Sequence, residues 1–238
     1  MRGTLLNTVT VAVGAMIGLA VGRYIPDSYK QVALYGLGLV TVGIGIKMFL
    51  QAKNPLIAAV SIVLGGVLGL ILHLNAGIEG LADWTRHWVG AFGSGRFAEG
   101  LITSFVLFCV GPMTLLGCMQ DGLEGKIELL SLKSTMDGIA AIFLAAAMGA
   151  GVLITALLVL LFQGGLTLSA RSLRAISEDA EALAETSATG GAILVGTGLG
   201  LLEIKNLHTA NYLPSILIAP AIVFLGQRLL KRRPARGQ

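Results

Sequence analysis

The strongest constraint on this chain is a series of apolar runs, each close to the ~20 residues that a helix needs to cross the hydrocarbon of a bilayer. They cover 4–21, 32–50, 55–74, 97–119, 136–162, 188–202 and 212–230. Backbone amides find no water in lipid, so a spanning segment must close its hydrogen bonds within itself, as a helix does. The sequence therefore predicts an all-α fold, a polytopic transmembrane helix bundle of about seven spans embedded in the lipid bilayer. Composition argues against a soluble alternative, because 55% of residues are hydrophobic and 13% charged, against roughly 25% charged in a typical soluble domain. The 33 glycines fit the same reading, since small residues let helices pack closely where lipid supplies no hydrophobic drive between them.

The first run is read as a packed span rather than a cleaved leader. Arg2 before it and the small residues Ala20 and Gly22 would suit a leader. Against that, the run is long, Asn7 lies inside it, and Gly14, Gly18 and Gly22 recur every four residues as in a packed helix. The fourth run holds Gly111-Pro112, where a missing amide donor and a ring clash kink or interrupt a helix. Two connectors are amphipathic. Leu81, Trp84, Trp88 and Phe92 recur at helical spacing opposite Glu79, Asp83, Arg86 and His87, and Leu173, Ile176, Ala180 and Leu183 do so opposite Arg174, Glu178, Asp179 and Glu181. Both predict helices lying in the membrane interface, where the tryptophans also belong.

Seven spans put the two termini on opposite sides. The basic tail, Arg228, Lys231, Arg232, Arg233 and Arg236, marks the cytoplasmic side, which places the amino terminus outside. In this topology eleven Lys and Arg residues fall inside and six outside, and without the tail the two sides are equal.

Three stretches share a pattern: 38–47, 111–120 and 196–205 each begin at a glycine and end at a long polar side chain, Lys47, Gln120 or Lys205. The runs before them carry Gly14 and Gly18, Gly65 and Gly69, and Gly149 and Gly151. The pattern predicts tandem hairpins within one membrane domain: 1–54, 55–131 with an amphipathic helix, and 132–210 with another, followed by 211–238 as the last span and tail. Several transporter families are built from repeats and form their sites between them at broken helices. Related hairpins would hold Lys47, Gln120 and Lys205 at one depth.

Polar and ionisable groups in spans are costly and by default suggest function. Lys47, Gln120, Asp121, Lys133, Ser134, Asp137, Glu203, Lys205, Asn206 and Asn211 all fall at the outer ends in this topology and predict a polar vestibule. Lys133 and Asp137, four apart, share a helix face and pair, either as a gate or as a neutralised anchor whose ammonium snorkels to headgroups. At Gly111, Pro112 and Thr114, freed carbonyls and the threonine hydroxyl would line a polar path, unless the proline only kinks a packed helix. Asn7 and Gln163 are further pathway candidates, or else partners for a neighbouring helix's backbone.

Other chemistry lacks its residues. Cys109 and Cys118 lie nine apart in one run, where a helix cannot bring them together, and His73, His87 and His208 are scattered. There is no G-x-S-x-G elbow and no phosphate loop, and the glycines at 190–200 lie in a span without a βαβ context. No enzyme activity, metal or cofactor is expected, and the basic tail reads as a lipid anchor rather than a nucleic-acid surface.

Phe108 to Gly122, Lys133-Ser-x-x-Asp137-Gly, Gln163-Gly-x-Leu-Thr167 and Asn211-x-Leu-Pro214 closely resemble the YqgA-like family of prokaryotic integral membrane proteins, over nearly the whole chain. The resemblance implies a protein of the bacterial inner (plasma) membrane. The family is one of unknown function, so the resemblance implies no reaction and carries over no site residues. The residues themselves favour a transporter or channel for a small polar solute or ion. Lys47, Lys133 and Lys205 would suit an anion; Asp121, Asp137 and Glu203 would suit a cation or proton coupling. The alternative is a non-transporting scaffold or regulatory protein that forms homo-oligomers through small-residue helix faces.

Overall fold

The computed structural model describes residues 1–89 and 96–231, and every regular element among them is helical. In chain order these are α1 (Arg2–Gly22), α2 (Asp27–Phe49), α3 (Pro55–Ile71), α4 (Leu74–Val89), α5 (Phe97–Cys109), α6 (Pro112–Glu124), α7 (Glu128–Met148), α8 (Gly151–Leu168), α9 (Ala170–Glu178), α10 (Ala180–Leu201) and α11 (Ser215–Lys231). A 3-10 turn, Thr209–Tyr212, precedes α11. Phe92 of the first amphipathic segment lies outside the described residues, as do the tail residues Arg232, Arg233 and Arg236.

Five segments are long and apolar enough to cross a membrane: α1, α2, α7, α8 and Thr209–Leu229. Two bent pairs raise the number to seven: α3 with the start of α4, at 49°, and α5 with α6, at 62°. The total agrees with the sequence reading, but the segments that compose it differ.

The run 136–162 is two helices rather than one. α7 and α8 part at Gly149, whose φ of 89° and ψ of −158° are open to glycine and strained for other residues. No polar residue marks this break, so hydropathy runs straight through it. The run 188–202, in turn, is only the later part of α10. Asp179 caps that helix by accepting from the amides of Glu181 and Ala182 at 2.9 and 2.8 Å, which satisfies two of its unpaired first-turn donors. The same cap corrects the second amphipathic segment, because α9 ends at Glu178 and both Ala180 and Leu183 belong to α10. α10 carries Glu181, Glu185, Thr186, Ser187, Thr189 and Thr197, too many polar groups to count among the seven. It is nevertheless as long as its neighbours and mostly buried, so protein rather than lipid surrounds those groups.

The long helices pair across the chain, and glycines set the registers. A side chain at Gly14 or Gly18 of α1 would collide with the carbonyl of Gly138 or Ile142, and one at Gly22 would lie 2.7 Å from Cα of Ala146. Positions rise together along α1 and α7, so the two are parallel. α2 and α10 are antiparallel, with Gly38 against Leu201 and Gly45 against Gly191. α3 and α11 are also antiparallel, with Gly65 against Ser215 and Gly69 against Asn211. α5 and α8 are parallel, joined by Ser104 with Thr155 at 2.6 Å and by the edge-to-face rings of Phe105 and Phe162, 5.7 Å apart.

These registers carry the chain along the bundle eight times, once more than the sequence reading, because the split at Gly149 adds a pass. α1 therefore begins, and α11 finishes, at the same end. We term this end basal; it holds Asp121, the loop before α3 and the start of α10. The opposite, distal end holds 23–26, the α7–α8 break and the segment between α10 and α11. The expectation of termini on opposite sides is corrected accordingly. The outer surface is apolar, with Leu39, Val63 and Leu70 all more than 60% exposed, which suits lipid and would be costly in water.

Candidate functional site

The parallel α1–α7 seam determines where the buried polar groups meet. Asn7 lies seven residues before Gly14 on the packed stripe of α1, so it faces α7 as the glycines do. Its Nδ2 donates to Oδ2 of Asp137 at 3.0 Å and to Oε1 of Gln163 on α8 at 3.2 Å. Lys133 Nζ donates to the same Asp137 oxygen at 2.5 Å. Asn7 and Gln163 are fully buried, and Lys133 and Asp137 are each less than a tenth exposed. Side chains of α1 and α7 thus meet on one carboxylate, and α8 joins them through Asn7.

The cluster reaches the helix break. Proline 112 has no amide to give the carbonyl of Phe108, the acceptor four residues earlier. Two side chains replace it: Thr114 Oγ1 donates to that carbonyl at 3.2 Å and Gln163 Nε2 at 3.5 Å. Gly111, with φ 151°, makes the turn between α5 and α6. The Thr114 hydroxyl therefore repairs the break rather than lining an open path. Asn7 Oδ1 is buried with no hydrogen-bond partner among the described residues, so the cluster is one donor short.

Asp121 has a different occupation. Its Oδ2 accepts from the amides of Gly3 and Thr4 at 3.0 and 3.4 Å and lies 2.8 Å from the amino group of Met1. A carboxylate there answers the unpaired donors and the positive dipole of the start of α1. Thr4 and Thr167 meet nearby at 3.0 Å. Ser134 bonds back to Leu130 of its own helix at 2.6 Å and takes no part in the cluster.

The remaining candidates divide between the two ends, which corrects the single vestibule. Lys47 and Gln120 are basal, the first exposed and the second half-buried. Glu203, Lys205, Asn206 and Asn211 are distal. Gly45 sits beside Gly191 and Gly38 beside Leu201, so Lys47 and Lys205 are separated by roughly 20 Å along the bundle at 1.5 Å per residue. The equal depth expected of related hairpins is absent because α10 runs opposite to α2.

At the distal end Arg96 bonds Glu99 through two nitrogens, at 2.6 Å each, and Glu203 at 2.6 Å. Those bonds, chiefly to Glu99, hold the guanidinium above its ordinary pKa. The Tyr35 hydroxyl, foremost, and the charge of Arg96 hold the Glu203 carboxyl below its usual range. Asn211 Oδ1 accepts from the amide of Asn75 at 3.0 Å, which ties the turn before α11 to the start of α4.

Several polar residues escaped the sequence reading. Thr4 and Thr167 carry no charge to draw notice, although Thr4 shares the stripe of Asn7. Glu185 is fully buried, and its Oε1 accepts from the amides of Lys53 and Asn54 at 2.7 Å each. It follows the acidic residues Asp179 and Glu181 closely in sequence, and no local signal separates it from them. Among the described residues no group of three or more His, Cys, Asp or Glu is placed to hold a metal ion.

The family described as "Protein of unknown function (DUF554)" matches residues 2–224. The uncharacterized membrane protein YdfK of Bacillus subtilis (strain 168) is 34% identical over 230 residues, covering 94% of this chain and 96% of that protein. The uncharacterized protein YqgA of Escherichia coli (strain K12) is 26% identical over 221 residues, covering 91% and 94%. The resemblance carried by the motifs at Phe108–Gly122 and Lys133–Gly138 is thereby established. No solved structure matches the chain.

Proposed function

The chain belongs to the DUF554 family of membrane proteins, and on that premise we propose that it transports a small polar solute or an ion. The observation that carries this reading is the buried cluster of Lys133, Asp137, Asn7 and Gln163 against a broken helix. A buried ion pair is poor evidence of a purely structural role, because well-packed apolar residues usually stabilise as well or better. Charged groups within membrane segments instead mark pathways and relays, and discontinuous helices are where transporters form sites. Asp137 is shared by Lys133 and Asn7, so a proton or cation arriving on the carboxylate competes with both. An anion arriving on Lys133 competes with Asp137. The first exchange weakens the bond from Asn7 to Asp137 and so loosens α7 from α1, the kind of two-state element that alternating access requires.

The setting is the plasma membrane, the inner membrane in bacteria with two. The eight-pass path supports the charge asymmetry: among the described residues nine of 14 Lys and Arg, including Arg2, Lys53, Lys126, Arg171, Arg174 and Arg228, fall at the basal end and five at the distal end. We infer that the basal end, with both termini, is cytoplasmic. Reporters fused before Arg2 and after Gln238 then both read as cytoplasmic; reporters on opposite sides would overturn the eight-pass path.

Transport is tested in proteoliposomes with a panel of small cations, anions and zwitterions. Wild-type protein gives flux for at least one of them, and Asp137→Asn lowers it at least about tenfold while remaining monodisperse. Absence of flux throughout the panel would favour the scaffold, which oligomeric state in detergent and lipid then tests.

A further inference from the structure

We propose that a cavity at the distal end binds a small solute bearing an ammonium group. The cavity has a volume of about 200 Å³ and lies between α4, α5, α10 and the segment before α11. At about 30 Å³ per water in the liquid, it holds a solute of a few heavy atoms. Its wall includes Asn75, Glu79, Glu99, Thr197, Asn206 and His208, and among the described residues no lysine or arginine lines it.

The lining is short of donors. Asn75 is more than nine-tenths buried, and its Oδ1 has no partner among the described residues. The assignment of that oxygen is secure, because Nδ2 of the same amide lies 2.6 Å from Glu79 Oε1, and a carboxylate only accepts. Nδ2 also meets Nδ1 of His208 at 3.2 Å, so the amide is held on both sides. A sealed acceptor without a donor is destabilising, a deficit that a ligand N–H removes.

Charge selects the ligand further. Glu99 is already neutralised by the two-fold contact of Arg96, whereas Glu79 accepts from the uncharged Asn75 amide. The wall therefore presents a carboxylate, an unmet amide oxygen and threonine hydroxyls, which together repel anions and accept from several N–H bonds. Among the described residues no group of three or more His, Cys, Asp or Glu is placed to hold a metal ion, so the wall's acceptors suit N–H donors. An ammonium group, with its hydrogens directed apart, matches such a wall.

This inference deepens the transport reading and rests on it for its physiological meaning: the cavity is the solute's place of entry on the side away from the cytoplasm. The test uses the full chain purified in detergent, with binding followed by calorimetry and by Tm. Methylammonium and ethanolammonium bind and raise Tm, whereas sodium and acetate at matched ionic strength do not. Glu79→Gln weakens ammonium binding at least about tenfold, the loss of one charge-assisted contact, while Asp27→Asn, at the same end but outside the wall and paired with Lys30 of its own helix, leaves it unchanged. Absence of ammonium binding, equal binding of acetate or sodium, or wild-type affinity in Glu79→Gln would overturn the site. The selectivity arm uses wild-type protein alone, so it decides even if a variant fails to fold. Ammonium binding without flux upholds the site and removes the transport reading; flux without ammonium binding does the reverse.

Discussion

The two ends of the bundle handle buried polarity differently. At the basal end the charges are answered from within: Lys133 meets Asp137, and Asp121 is taken up by the first amides of α1. At the distal end acceptors outnumber donors, and a buried amide oxygen and Glu79 face a cavity. Each end leaves a buried amide oxygen unmet, Asn7 Oδ1 at the basal end and Asn75 Oδ1 at the distal end, but the basal charges are paired, and a paired network stores an alternative arrangement because its bonds can be exchanged for bonds to a ligand. An open one is a receptor awaiting its donor. The basal cluster is thus the candidate switch and the distal cavity the candidate point of recognition.

The largest effect is expected from the seam that assembles the basal cluster. Gly18→Leu forces a side chain into the carbonyl of Ile142, a clash that rigid backbone cannot relieve. Aggregation on size-exclusion chromatography is the expected result, and a monodisperse variant with wild-type Tm would contradict the parallel α1–α7 packing. Lys133→Met comes next. It leaves Asp137 uncompensated and destabilises by ~3–5 kcal/mol, while adding Asp137→Asn restores most of the loss. If the double variant is no more stable than the single one, the ion pair is not the unit described.

Asp121→Ala is milder, ~1–3 kcal/mol for unpaired amides at the start of α1, and flux survives in the folded fraction. Loss of flux at unchanged Tm would move Asp121 from capping into the pathway. The smallest effect belongs to Glu203. Its folded pKa lies below the ordinary 4.5, so its contribution is present above that value and disappears as pH falls through the folded pKa. Because the group is exposed, Glu203→Gln barely lowers Tm at pH 7, and the difference vanishes in acid.

The all-helical membrane fold was legible because lipid imposes a length and a hydropathy that few residues can disguise. The broken helix was legible for the same kind of reason, since Pro112 removes a particular hydrogen bond. What hydropathy cannot register is a change of direction made by small apolar residues. Ala145 to Gly151 contains no polar side chain, so the break at Gly149 was invisible, and with it the direction of α10 and the end at which Lys205 lies. α10 shows the converse difficulty: a helix shielded by protein carries Glu185 and four Ser or Thr residues, and its sequence resembles a surface. The pairing of Lys133 with Asp137 followed from spacing along one helix, but their meeting with Asn7 and Gln163 depends on which helices are neighbours, and local spacing does not reveal that.

Flux through the switch is the most direct test of the transport reading. Wild-type, Asp137→Asn and Asp121→Asn proteins are reconstituted at equal density, and uptake of the solute found in the panel is followed over time. The account predicts uptake by wild-type and Asp121→Asn proteins and at least about a tenfold loss in Asp137→Asn, with all three monodisperse. Equal uptake by all three, or loss in Asp121→Asn alone, would contradict the assignment of the switch to the Lys133–Asp137 cluster.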